Sequence, residues 1–214
     1  MVDLILVGAS GLAREVLSVL RGAGDDRSVG VLDDSPGLAG TTLDGAPVLG
    51  SVNTIGEYPQ AEILLCVGAG RSRVLLAARL EILGVHTDRY TRVVHGSVDV
   101  PASCSIAPGC IVLAGVVLTT DVVLGPHVAV MPNVTLTHGD RVDAFVTLCA
   151  GVTVGGDVRI EQAAYLGMNS AVRQLLTIGA ESTIGMGAVV LCDVPPGQTW
   201  LGVPARRYEN GQPE

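Results

Sequence analysis

The sequence predicts a chain in two parts: a small α/β unit built on a parallel sheet, followed by a parallel β-helix. Three observations predict it. From Val94 onward every sixth residue up to Val190 is Val, Leu or Ile, seventeen positions without a slip. Two residues before each of these stands a smaller residue in most units, as at Val98, Cys104, Cys110, Val116, Val122, Ala164, Ser170, Ser182 and Ala188. Hydrophobic residues make up 48% of the chain but aromatics only 3%, which suits a narrow core of stacked aliphatics. A helix needs a period of 3.6 and a half-buried strand a period of 2, so a fixed six-residue period is a repeat architecture. Each unit reads as a short flat strand with one aliphatic inward and a small residue at the corner. Three units close one triangular coil, giving nearly six coils and a prism about 25–30 Å tall at ordinary strand spacing.

Turn residues follow the aliphatics: Pro108, Gly125, Pro126, Pro132, Gly155, Gly167, Gly179 and Gly185. They are expected to supply turn geometry. Asp140 breaks the pattern by placing a carboxylate in a corner slot that is small and apolar in nearly every other coil. A charge there is costly unless paired or hydrated, so Asp140 either orients the nearby His138 or caps the turn. Leu113, Met131 and Leu191 are expected on the outside of the prism, as a surface for a partner.

Before the repeat, Asp3 to Gly8 reads as a buried strand, Gly8-Ala9-Ser10-Gly11 as a tight turn, and Leu12 to Gly22 as a helix with Val16, Leu17, Val19 and Leu20 on one side. Val29 to Leu32 is a second strand, running into Asp33-Asp34. Ile63 to Val67 is a third, closing in Gly68-Ala69-Gly70. Arg71 to Leu83 is a second helix, with Val74, Leu75, Ala78 and Ile82 as its apolar stripe. Strand–helix alternation gives a small parallel α/β unit. The expected division is 1–85 for this unit, 86–93 for a connector, and 94–214 for the prism and its tail. A last strand falls near Thr199-Trp200-Leu201, and the polar residues Asn210 to Glu214 are expected to be loose.

Composition narrows the function. Net charge is −8 and the isoelectric point near 4.9, against nucleic acid as a partner. Mean hydropathy is +0.49, yet no uninterrupted apolar run reaches eighteen residues, so no membrane span is expected. Met1-Val2-Asp3 carries no basic leader, and a cytoplasmic protein is expected. All 13 basic residues are Arg, which excludes a Lys nucleophile. The five Cys lack CxxC spacing; Cys104 and Cys110 repeat the six-residue period and read as core corners. Reduced thiols and no metal are expected.

Two places could carry chemistry. A strand, a Gly-x-x-Gly turn and a helix present backbone N–H groups and a helix N-terminus to an anion, and a nucleotide phosphate is the natural guest. Asp33-Asp34 ends the next strand, where a ribose or base is read; the alternative is that these residues only make turns and a cap. His138, in Thr135-Leu136-Thr137-His138-Gly139-Asp140, follows an inward aliphatic on a prism corner. There a neutral imidazole could accept a proton from an amine or hydroxyl, or be a solvated turn residue. His127 also lies in the repeat and stays open.

These landmarks, with Phe145-Val146, Gly167-Met168-Asn169-Ser170, Gly185-Met186-Gly187 and Gly202-Val203-Pro204-Ala205, resemble a family of two-domain sugar acyltransferases. It includes the bacillosamine- and perosamine-type nucleotide-amino-sugar N-acetyltransferases and the sialic acid O-acetyltransferases, and the resemblance covers nearly all of the chain. It implies a Rossmann-like N-terminal subdomain and a left-handed β-helix of hexapeptide repeats, an exception to right-handed crossover. It implies acetyl-CoA as co-substrate, a nucleotide sugar as acceptor and a homotrimer with sites between subunits. His138 matches the general base. Ser10, Gly11, Leu12, Asp33 and Asp34 match sugar-nucleotide positions, with Gly68 closing the same pocket; Gly167, Met168, Gly185 and Met186 match the acetyl-CoA cleft. Three positions depart from the family. The acidic residue that often follows the catalytic His is Gly139, with Asp140 one residue further. The second His often found near the thioester is Thr147, which the resemblance places among the acetyl-CoA-binding residues. The His that often follows the second Gly of the N-terminal turn is Leu12, with Arg14 nearby to meet a phosphate.

The function expected on this resemblance is acetyl-CoA-dependent N-acetylation of a nucleotide-linked amino sugar. The alternative is O-acylation of a sugar hydroxyl. Two further readings are a metal enzyme like the γ-type carbonic anhydrases and a non-catalytic, nucleotide-binding assembly protein. The first needs several converging His, and His127 and His138, eleven apart, fall on different faces.

Overall fold

The computed structural model describes residues 2–209 and the backbone of 212–213. The first part is a parallel sheet with one antiparallel edge. Its elements are β1 (Leu4–Val7), α1 (Gly11–Gly22), β2 (Val29–Leu32), β3 (Thr42–Leu43), β4 (Ala46–Gly50), β5 (Glu62–Leu65) and α2 (Gly70–Ile82). The strand order is β3-β4-β2-β1-β5, a Rossmann-like arrangement. β1 is buried on both faces, as its unbroken Leu-Ile-Leu-Val run requires. The β3–β4 hairpin has no counterpart in the sequence reading, because Thr42–Gly50 lacks clean alternation.

α1 follows the expected pattern, burying Leu12, Ala13, Val16, Leu17 and Leu20. α2 does not. Leu75 is 72% exposed and Ile82 87% exposed, while Leu80 and Arg73 are buried. Leu76, Ala77 and Leu80 pack on the sheet. The helix is wedged between the sheet and the prism, and the guanidinium of Arg73 takes the place on the prism side that an aliphatic stripe was expected to fill.

The second part is a prism of three parallel ladders. Face one stacks Ser105–Ile106, Val123–Leu124, Arg141–Val142, Arg159–Ile160 and Thr177–Ile178. Face two begins at Val93–Val94, one residue earlier than the expected start of the prism at 94. It continues through Ile111–Val112, Ala129–Val130, Thr147–Leu148, Tyr165–Leu166 and Thr183–Ile184 to Thr199–Leu201 and the antiparallel Arg206–Glu209. Gln212–Pro213 pairs with this last strand; the expectation for Asn210, Gly211 and Glu214 lies outside the described residues. Face three stacks Val117–Leu118, Thr135–Leu136, Thr153–Val154, Ala171–Val172 and Val189–Val190. Each strand pairs with the one eighteen residues on, as in Val123↔Arg141 and Leu124↔Val142. The inward aliphatics and corner residues form one continuous core.

The glycines after the aliphatics have a different cause from the one expected. Gly125, Gly155, Gly167, Gly179 and Gly185 do not take positive φ. A Cβ on Gly167 would come within 2.6 Å of the Met186 nitrogen, and one on Gly155 within 2.7 Å of the Gln174 nitrogen. Gly125, Gly155, Gly167 and Gly179 are glycine because the next coil's backbone leaves no room, whereas a Cβ on Gly185 would run into the Leu201 side chain. The left-handed slot lies two residues later and recurs every six residues. Nine non-glycine residues occupy it, among them His127, Asn133, Phe145, Asp157 and Leu175.

The α/β unit sits on face two and on the corner between faces one and two. α1 packs over Val93, Ile111, Leu113, Ala129 and Met131, so Leu113 and Met131 are covered by the chain's own helix and are not free for a partner. Leu191 does remain exposed, at 44%. Arg73 fastens α2 to the same corner. It donates to the carbonyls of Val67, Gly68, His127, Phe145 and Val146 and to Thr147 Oγ1, at 2.7–3.1 Å. Burial lowers its pKa to about 10, which leaves it charged at neutral pH. Among the described residues no helix is long and apolar enough to cross a membrane.

Candidate active site

A cavity of about 330 Å³ opens at the carboxyl ends of β1, β2 and β5, lined by Gly8, Asp33, Asp34, Val52, Val67 and Leu76 among others. Ligands of open α/β sheets bind at such ends. Gly8 has φ +107, and a Cβ would meet Val67 Cγ2 at 2.7 Å and the Cys66 carbonyl at 3.1 Å, so the turn requires glycine. Ser10 N-caps α1, accepting from the N–H groups of Leu12 and Ala13 at 3.1 and 3.4 Å, while its hydroxyl donates to the Cys66 carbonyl. Asp33 accepts from the Ala9 N–H and the Ser35 N–H, both at 2.7 Å. Burial opposes its ionisation, but these bonds outweigh it and hold the carboxyl below its usual range. Asp34 is held lower, at about 2, first by the Arg79 guanidinium and then by the Ser51 hydroxyl.

Three expected pocket residues point elsewhere. Leu12 is 5% exposed and belongs to the core beneath α1. Arg14 pairs with Asp44 on the β3–β4 turn at 3.1 Å because that hairpin, missed in the sequence, brings a carboxylate to it. Val67, and not Gly68, lines the cavity; the Gly68 carbonyl is taken by Arg73 and by Thr147 Oγ1. Gly11 is exposed at the first turn of α1.

His138 lies on the corner between faces three and one, opposite the face that the α/β unit covers. Its side chain is 65% exposed, and Nε2 stands 3.7 Å from Asp157 Oδ2 of the next coil. Asp140 is fully buried; it accepts from the Thr137 N–H at 2.8 Å and the Val158 N–H at 3.0 Å. Its two oxygens go to backbone, so of the two roles left open it takes the cap, and the acidic group facing the imidazole is Asp157. The sequence reading missed Asp157 because it lies nineteen residues away; adding one coil to Gly139 finds it.

His127 has a different environment. It is 7% exposed, stacked on Phe145 with ring centroids 4.8 Å apart and edge-on to Tyr90 at 4.5 Å. Burial, and then the charge of Arg73, push its pKa down to about 4, so it is a neutral packing residue at the seam with the α/β unit. Thr147 is 1% exposed and locked between Arg73 and Gly68. With its hydroxyl spent on this seam it has nothing to offer a cofactor, which corrects the expectation for it. Gly167, Met168, Gly185 and Met186 stack on the corner between faces two and three. Met168 is 49% exposed and Met186 73%. Within one chain this corner, the cavity at the end of the parallel sheet and His138 lie apart.

Comparison with known proteins agrees with this anatomy. The PglD N-terminal domain family matches residues 3–98. A GDP-perosamine N-acetyltransferase from Caulobacter crescentus, a His-to-Ala mutant in complex with CoA and GDP-perosamine, superposes with a TM-score of 0.87 at 26% identity over 97% of both chains. The acetyltransferase domain of PglB from Neisseria gonorrhoeae FA1090, in complex with acetyl coenzyme A, gives 0.87 at 30% identity over 96% of this chain and 98% of that one. UDP-3-O-acylglucosamine N-acyltransferase of Caulobacter sp. strain K31 is 34% identical over 73 residues. The chain spans less than a third of the length of the curated relatives it matches, 31% and 22%. On these likenesses the chain belongs to the sugar acetyltransferases of the hexapeptide-repeat family, with a left-handed β-helix as its acyltransferase prism.

Proposed function

We propose that the protein transfers the acetyl group of acetyl-CoA to the amino group of a nucleotide-linked sugar, with His138 as general base, in sites formed between the chains of a homotrimer. The observation that carries this reading is His138 itself: an accessible imidazole on a prism corner, facing a carboxylate, in a chain that also holds a nucleotide-type cavity. The relatives bound to CoA, acetyl-CoA and GDP-perosamine support both substrates. In this reading residues 1–85 hold the nucleotide sugar and 94–214 the acyl donor. The Gly8–Gly11 turn and the start of α1 receive phosphate, and Asp33 and Asp34 accept hydrogen bonds from ribose or base. Met168 and Met186 flank the pantetheine arm, which lies on the backbone at Gly167 and Gly185. A second copy supplies the missing juxtaposition: its corner with Met168 and Met186, set against the corner with His138, brings donor and base together. Nucleotide sugars and acetyl-CoA meet in the cytoplasm, where the reaction belongs.

The chemistry needs positioning and one proton acceptor. The neutral amine attacks the thioester carbonyl and a C–N bond forms. His138 takes the proton from nitrogen. As the C–S bond breaks, that proton passes to the leaving sulfur, giving the amide and free thiol with no acyl-enzyme.

Thermal stabilisation by acetyl-CoA, CoA and UDP-, GDP- and dTDP-sugars tests the ligands, since a ligand at a hundred times its Kd adds about 2.7 kcal/mol. A shift with CoA species and one nucleotide sugar supports the reading, and a shift with neither removes it. His138→Ala should lower kcat by about 10²–10⁴-fold while CoA still stabilises the protein. Paired amino- and hydroxy-sugars distinguish N- from O-transfer.

A further inference from the structure

We propose that Asp157 is the positioning residue of the general base: it orients the His138 imidazole and stabilises the imidazolium formed during transfer, from one coil further along the prism. The inference rests on the reading of His138 as base.

One coil of the prism is eighteen residues long. Stepping by one coil takes His138 to Gly156 and Gly139 to Asp157, so the four residues form a two-by-two stack. Each histidine or aspartate lies over a glycine. The two glycines open the two spaces that the pair needs. A Cβ on Gly156 would come within 2.2 Å of His138 Nε2 and 2.3 Å of Cε1; the imidazole lies where that side chain would be. A Cβ on Gly139 would come within 2.2 Å of Asp157 Oδ1, so the carboxylate reaches the ring because residue 139 has no side chain. The Asp157 N–H donates to the His138 carbonyl at 2.8 Å, which fixes the register between the two residues. Asp157 takes the left-handed slot at φ +58, a conformation that aspartate tolerates better than most residues.

The ring surroundings favour one partner. Asp140, in the same turn, spends both oxygens on backbone N–H groups. The Gly139 N–H binds the Thr120 carbonyl of the preceding coil. Among the described residues Asp157 is the acidic group within 4 Å of the imidazole. It faces Nε2 at 3.7 Å, outside hydrogen-bond distance; a hydrogen bond made when the corner closes puts hydrogen on Nε2 and leaves Nδ1 to accept the substrate proton. In the open chain the pair is more than half exposed and solvent screens it. Closure of the corner by a second copy and by substrates removes that water and strengthens the attraction where positive charge develops.

Three variants in the full-length protein test this, each first shown to keep a native melting transition and stabilisation by CoA. His138→Ala tests the base itself. Asp157→Asn should lower kcat about tenfold, a fraction of what the general base itself contributes, with both KM values within about twofold of wild type. Asp157→Gly, which fits the left-handed slot without strain, should reproduce the kcat loss and covers the case in which Asn disturbs the fold. An unchanged kcat in Asp157→Asn, or a loss that falls on KM instead of kcat, with His138→Ala inactive, overturns the role of Asp157 and leaves His138 as base. Full activity in His138→Ala overturns both.

Discussion

Asp140 is a carboxylate used as a building element. Burial pushes its pKa up to about 6, even though the N–H groups of Val158 and Thr137 favour the charged form. A carboxyl whose folded pKa exceeds its unfolded value of 3.8 binds more protons in the folded state between those limits. Its contribution to stability is therefore full below about 3.8 and is lost as pH rises through about 6. Asp140→Asn removes this titration. The variant should be more destabilised relative to wild type at pH 4 than at pH 8, by up to about 3 kcal/mol, measured by urea unfolding at both values. An equal difference at the two values would show that Asp140 titrates normally in the fold. His138 was legible as a candidate because a histidine on a repeat corner has few packing duties. Its carboxylate partner was not, because linear spacing favours Asp140 at two residues over Asp157 at nineteen. Thr147 and Leu12 were misplaced for a related reason: motif alignment places a residue in the chain but does not say which face the neighbouring element will cover.

At the scale of elements, the prism uses glycine for two separate reasons, and substitution tells them apart. Gly167 has ordinary φ but no room, since every near atom belongs to the backbone of the next coil. Gly187 has φ +67 with nothing within 4 Å of a Cβ. Gly167→Ala should cost about 2–3 kcal/mol, because a packed backbone cannot move aside, and Gly187→Ala about 1 kcal/mol of left-handed strain. Equal costs in thermal unfolding would count against this division. The repeat itself was legible down to its inward residues, because one aliphatic per strand leaves a period that nothing else imitates. α2 was not legible in this way. Its docking face centres on Arg73, a charged residue that a hydrophobic pattern assigns to solvent. Here five carbonyls and the Thr147 hydroxyl replace water around the guanidinium. Arg73→Met should leave these acceptors buried and unpaired, at a cost of about 3–5 kcal/mol. Arg73→Lys, with three donors on one nitrogen, should recover only part of it.

For the whole molecule, the main consequence of the fold is separation. The α/β unit covers face two, and His138 stands on the opposite corner, so within one chain the cavity at the end of the parallel sheet lies away from the imidazole. If the site forms between copies, two inactive variants should complement each other. His138→Ala removes the base and leaves the cavity. Gly11→Trp blocks the turn at the start of α1 and leaves the prism, since a Cβ on Gly11 meets nothing within 4 Å. Each variant alone should be inactive. Mixed in equal amounts and allowed to exchange subunits, they should form some sites with an intact cavity from one chain and an intact base from its neighbour. Random assortment around a ring gives about a quarter of wild-type activity. Activity that stays at the level of the separate variants, with exchange verified by a size-tagged chain, would mean that cavity and base act within one chain. The α/β unit would then have to leave face two during the reaction, breaking the Arg73 contacts that hold it there.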